Sequence, residues 1–142
     1  MTAPYSGQCA CGRVSLAIDA EPLATRQCWC RQCRRISGGG PGNNAMFPGE
    51  AVTITGELGS AAWTAASGNT LTFRFCPSCG TQVYAQSSGR PHLKTVRFGM
   101  LDEPHGLKPQ MAIWTSEAPE WAVIDPALER HEHQPPAPPP RT

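Results

Sequence analysis

The chain has 142 residues, with twelve basic and eleven acidic side chains and a formal net charge of +1. That length suits one domain with a real core, and the near-neutral charge argues against a surface built for nucleic acid or an anionic membrane. No apolar run approaches the roughly 20 residues needed to cross a bilayer, and the opening Met-Thr-Ala-Pro-Tyr lacks the basic patch and apolar stretch of a secretory signal, so the cytoplasm is the expected location.

Taken in chain order, Val14, Leu16 and Ile18 alternate with Arg13, Ser15, Ala17 and Asp19, the pattern of a half-buried strand ended by Glu21-Pro22. Residues 28–35 form a compact ligand loop running into a helical turn, and residues 37–44, Ser-Gly-Gly-Gly-Pro-Gly-Asn-Asn, read as loop. Val52 and Ile54 predict another strand. Leu71, Phe73 and Phe75 alternate into Cys76. Val83-Tyr84 extends beyond it, and Leu93, Val96 and Phe98 belong to a strand closed by Gly99. Ile113-Trp114 and residues 121–124 are expected as last strands or extended segments. The 14 glycines and 15 prolines, with no long helical repeat, predict a mainly β fold of several small antiparallel sheets. A single zinc-binding β domain is expected over residues 1–131, followed by a disordered proline-rich tail over 132–142.

The chemistry lies in seven cysteines. An odd count cannot pair fully into disulfides, and a reducing compartment favours thiolates as metal ligands. Three clusters hold them: Cys9-Ala10-Cys11-Gly12, Cys28-Trp29-Cys30-Arg31-Gln32-Cys33, and Cys76-Pro77-Ser78-Cys79-Gly80. A structural zinc takes four ligands, while a catalytic one has three protein ligands and one open position. Four plus three is the economical division, with the pair Cys9 and Cys11 joining Cys76 and Cys79, and the middle cluster serving a metal alone. Spacing leaves open that Cys28 or Cys33 completes the site begun by Cys76 and Cys79. Iron is the chemical rival to zinc at a site of four thiolates.

These clusters resemble the family of glutathione-dependent formaldehyde-activating enzymes, a group that includes a centromere-associated protein. The likeness runs over about residues 5–128. It begins with Gly7-Gln8-Cys9-Ala10-Cys11-Gly12-Arg13-Val14 and continues through the middle cluster to Phe75-Cys76-Pro77-Ser78-Cys79-Gly80-Thr81 and Gly99-Met100-Leu101-Asp102-Glu103-Pro104, with late tryptophans at 114 and 121. The resemblance implies the beta-tent (Mss4-like) zinc fold. It implies a structural zinc on Cys9, Cys11, Cys76 and Cys79 and a catalytic zinc on Cys28, Cys30 and Cys33. It also implies condensation of glutathione with formaldehyde, a carbon–sulfur lyase reaction. The chain departs from the family in having Trp29 where His is common, and Ala45-Met46-Phe47 where Trp is common.

Arg31, Arg34 and Arg35 flank the middle cluster and are candidate partners for a carboxylate of a thiol peptide, because the guanidinium fork matches that geometry. The expected function is thus a zinc-dependent carbon–sulfur lyase joining a small thiol and a small aldehyde, with two zinc ions per chain. The alternative is a non-enzymatic zinc module that binds a protein or a small thiol. Nucleic-acid association is disfavoured by the charge and by only two lysines, Lys94 and Lys108.

Overall fold

The computed structural model describes residues 3–140. Among them the chain forms β1 (Tyr5–Gln8), β2 (Ser15–Ile18), β3 (Ala24–Cys28), α1 (Arg31–Ser37), β4 (Gly42–Pro48), β5 (Val52–Thr55), β6 (Gly59–Thr64), β7 (Thr70–Phe75), β8 (Gln82–Ser87), β9 (Leu93–Arg97), β10 (Met111–Ile113) and β11 (Glu129–Arg130). The protein is mainly β. One sheet is small and antiparallel, in the order β1-β2-β5. The other has eight strands, in the order β11-β10-β3-β4-β9-β8-β7-β6, and is mixed because β10 runs parallel to both β3 and β11. No helix among the described residues is long and apolar enough to cross a membrane.

The two faces of the large sheet do different work. Successive side chains on a strand point to opposite faces. Ala45, Phe47, Tyr84 and Val96 join the main core with Val14, Leu16, Ile18 and Val52 from the small sheet and its approach. The alternation at Val14, Leu16 and Ile18 is therefore the inward face of β2 and of the residue that leads into it, with all three at most 4% exposed. Strand β1 is fastened to the same core by a close approach. A Cβ on Gly7 would lie 1.8 Å from the Met100 carbonyl oxygen, and Gly7 bridges to Leu101. Only a residue without a side chain fits there.

Several expectations differ from the structure. Residues 42–44 belong to β4 rather than to a loop, because Asn43 and Asn44 pair with Gln27 and Arg26 across the sheet. Residues 121–124 form no strand. They begin inside a turn closed by the Ala122 N–H on the Pro119 carbonyl, and Trp121 and Val123 are 66% and 89% exposed. Where a free tail is expected from residue 132, the chain keeps hydrogen bonds to the domain. Glu132 and His133 carbonyls accept from Ser116 and Trp114, and the Pro136 carbonyl accepts from Arg26 Nη2 at 3.1 Å. Two of these donors, on buried Arg26 and half-buried Trp114, supply the reason, since donors there need acceptors. Residues 141–142 of that segment lie outside the described residues.

Candidate metal centres and an adjoining cavity

Two turns of like shape build the four-cysteine group. In the first, the Gly12 N–H closes onto the Cys9 carbonyl at 3.1 Å, and the Val14 N–H donates to Cys9 Sγ at 3.2 Å. In the second, the Gly80 N–H closes onto the Cys76 carbonyl at 2.8 Å. Gly12 and Gly80 both have φ of 80°, the left-handed region that favours glycine. The turns are tied to each other by Ala10 N–H to Thr81 Oγ1 and by Arg13 Nη1 to Ser78 Oγ, both at 3.1 Å.

The sulfurs of Cys9, Cys11, Cys76 and Cys79 all lie within 4.8 Å of one another. Zinc–sulfur bonds of about 2.3 Å in a tetrahedron require sulfurs roughly 3.8 Å apart. The Cys9–Cys11 and Cys11–Cys76 separations are 3.6 and 3.7 Å, and none of the seven cysteines is in a disulfide. The four donors fit a tetrahedral dication. Cys28 and Cys33 belong to a separate group and do not lie among these four sulfurs.

Cys28, Cys30 and Cys33 form the second group, also within 4.8 Å. Cys28 ends β3, and Cys30 is the N-cap of α1, its sulfur accepting from the Cys33 N–H at 3.3 Å where a hydroxyl or carboxylate usually caps. One helical turn thereby brings Cys30 and Cys33 together beside a strand end. Gly38 closes α1 in the left-handed conformation, its N–H bonded to the Arg34 carbonyl. The thiols perturb one another. Hydrogen bonds from Cys28 and Cys33 hold Cys30 down to about 3, while Cys30, Cys33 and burial push Cys28 far up. In the other group, the Thr81 hydroxyl and N–H hold Cys79 down to about 5. Crowded thiols thus favour single thiolates beside protonated neighbours, and a cation is what allows all to ionise.

The two groups differ in what surrounds them. Cys9 and Cys76 belong to the main core, whereas Cys28 and Cys33 sit in a small apolar cluster with Ile113. All three cysteines of the second group line a cavity of about 400 Å³, and none of the first four does. Opposite the cysteines the cavity is floored by the large sheet and walled by the β6–β7 hairpin. Trp114 stands at its edge with φ of 55°, an uncommon backbone for so bulky a residue. Its indole N–H donates to Gln134 Oε1 at 3.0 Å.

Of the three arginines singled out in the sequence, Arg31 lines the cavity and Arg34 and Arg35 do not. Arg34 Nε instead donates to the Trp29 carbonyl at 3.1 Å. Trp29 is buried, bonded through its indole N–H to Gln27 Oε1, and is not a lining residue. Of the Ala45-Met46-Phe47 run, Ala45 and Phe47 enter the core and Met46 lines the cavity. None of the four histidines lines it. Sequence reasoning missed Arg26, Asn44, Arg90 and Arg97, which do. One signal was present: Arg26 lies two residues before Cys28 on the same strand and therefore shares its face.

A family model described as glutathione-dependent formaldehyde-activating enzyme matches residues 4–117. No curated protein matches the chain. Among solved structures, a crystal structure of a Rhodobacter sphaeroides protein is similar in fold, with a TM-score of 0.54 and 24% identity. The alignment covers 73% of this chain and 91% of that one.

Proposed function

We propose, from the premise that the chain belongs to the glutathione-dependent formaldehyde-activating enzyme family, that it is a zinc-dependent carbon–sulfur lyase. It would join a small thiol to a small aldehyde such as formaldehyde, in a reducing, cytoplasmic setting, with two zinc ions per chain. The observation that carries this reading is the unequal surroundings of the two cysteine groups: Cys28, Cys30 and Cys33 all line a cavity, whereas none of the other four does and two of those, Cys9 and Cys76, are set into the main core.

Cys9, Cys11, Cys76 and Cys79 would hold one zinc as a cross-brace. Cys28, Cys30 and Cys33 would hold the other, and zinc there would supply a centre that keeps a substrate thiol as thiolate near neutral pH. The chain's own residues do the rest. Strand β3 and α1 fix the three sulfurs at one end of the cavity. Trp63, Phe73 and Met46 exclude water from its middle, and the lining arginines attract an anionic substrate. In the reaction a carbon–sulfur bond forms between thiol sulfur and aldehyde carbon, the carbonyl π bond opens, and the thiol proton ends on the new hydroxyl. Glu117, which accepts the Arg31 N–H at 2.7 Å, is the one carboxylate lining the cavity among the described residues.

Zinc-loaded protein mixed with glutathione and formaldehyde should accelerate formation of the hydroxymethyl thioether, followed by carbon-13 NMR of labelled formaldehyde. A rate equal to the protein-free reaction, with zinc present at two per chain, would favour the non-enzymatic module instead.

A further inference from the structure

The sheet that floors the cavity carries more positive charge than the cysteine centre requires. Arg26, Asn44 and Arg97 are register partners across β3, β4 and β9, so their side chains share one face. Arg26 is 4% exposed and Arg97 9%. Arg97 Nη1 donates to Asn44 Oδ1 at 2.5 Å, and Arg26 gives its Nη2 to Pro136. The Nε and Nη1 of Arg26 meet no acceptor among the described residues. Native proteins pair nearly all buried donors, and an unanswered one on a cation is among the costliest.

Arg31 and Arg90 line the same cavity, against the single carboxylate of Glu117. Three thiolates around one dication sum to minus one, so one arginine would balance that centre and the others would not. Much of the remaining wall is apolar, with Met46, Trp63, Leu71 and Phe73 beside uncharged polar side chains such as Thr64 and Gln86. Trp63 and Phe73 stack at 4.4 Å between centroids, and the Arg97 guanidinium lies 5.3 Å from the Phe73 ring. Gly42 leaves the room this needs, because a Cβ there would come within 2.8 Å of Arg97 Nη1.

We propose that the cavity takes an organic carboxylic acid, whose carboxylate meets Arg26 and Arg97 and whose apolar body lies on Trp63, Phe73 and Met46. The far end of that molecule meets the three cysteines. The inference rests on the reading of this cavity as the substrate site and narrows it: the thiol substrate is an acid with an apolar body, not any small thiol. The planar fork of a guanidinium matches a carboxylate, and about 400 Å³ is the size of a small-ligand pocket.

The test is a tryptophan-fluorescence titration of zinc-loaded, full-length protein with 3-phenylpropionate, its neutral amide and inorganic phosphate. Zinc content is measured in parallel. The acid should saturate, with the amide and phosphate each at least 10-fold weaker. Arg97→Gln should weaken the acid at least 10-fold at unchanged zinc content, and Arg97→Lys should restore part of it. Equal binding of acid and amide to the wild-type protein, or no saturable acid binding, would overturn the proposal without any variant having to fold. So would phosphate binding as tightly as the acid, which leaves only an inorganic oxyanion site. So would an Arg97→Gln protein that loses zinc but binds the acid normally, because the arginines then serve only to balance thiolates. No aldehyde is present, so the result is independent of whether the protein turns over glutathione and formaldehyde.

Discussion

The two cysteine groups use the same ligand atom for opposite ends. The four-cysteine group joins turns 65 positions apart, at Cys11 and Cys76, and lies partly in the core beneath both sheets. The three-cysteine group spans six residues of one strand end and one helical turn, and it faces a cavity. A metal in the first removes a large share of the unfolded chain's freedom, whereas one in the second closes a loop too short to matter much. The difference teaches that ligand type does not announce role. Sequence separation and the material around the sulfurs do.

The strongest test of this contrast is Cys76→Ser. Structural zinc binding is worth about 10–16 kcal/mol in small modules, against a typical net stability of about 5–15 kcal/mol. The variant should be unfolded or nearly so by circular dichroism at 25 °C. Retention of a cooperative transition within a few degrees of wild type would remove the cross-brace role. Next in size is Gly7→Ala, which pushes a methyl into the Met100 carbonyl beside the same brace. Backbone cannot yield as a flexible side chain can, so a loss of about 3 kcal/mol is expected, read as a drop of roughly 10 °C in Tm.

On the other side of the comparison, Cys30→Ser should cost no more than about 1 kcal/mol, the scale of a lost helix cap. Zinc should fall from two per chain toward one, and thiol–aldehyde activity should be lost. Destabilisation equal to that of Cys76→Ser would show that both groups are structural. The smallest effect belongs to Arg35→Ala. Arg35 is exposed on α1 outside the cavity, so stability should change by less than about 0.5 kcal/mol and glutathione affinity by less than twofold. A larger change in affinity would return the outer arginines to the binding site.

Much of this contrast was legible in the sequence, because cysteine spacing is explicit and alternation at Val14, Leu16 and Ile18 is a clean period of two. The division of ligands follows from those spacings and from the family resemblance. The cavity does not. Strand β3 reads Ala-Thr-Arg-Gln-Cys and lacks apolar alternation, yet four of its five residues are buried because both faces of the sheet are covered. Strand β4 opens with Gly-Asn-Asn, the composition of a turn, and becomes strand through its pairing with β3 and β9. Strand β6, Gly-Ser-Ala-Ala-Trp-Thr, has only Trp63 as a large apolar residue, and that residue faces the cavity. Arg26, Arg90 and Arg97 are scattered along the chain and meet only through strand register. Residues 121–124 differ in the other sense: their apolar character suggested a last strand or extended segment, but they pair with no strand among the described residues, and Trp121 and Val123 stay exposed, Trp121 with its ring edge-on to Trp29.

The alternation along β3 also decides where this chain can change length. Arg26 and Cys28 share the cavity face, while Thr25 and Gln27 point the other way. Inserting or deleting one residue in either strand would turn every side chain beyond it to the opposite face, taking Arg26 and Cys28 out of the cavity in β3, or Asn44 and Met46 in β4. The hairpin between β6 and β7 has no such constraint. Its turn is closed locally, by Ala65 N–H to Asn69 O and Gly68 N–H to Ala65 O, and residues 65–67 and 69 line the cavity wall. Insertions tolerated by this fold therefore belong in that hairpin, where added residues would resize the cavity while the cysteines and the arginine row stay in place.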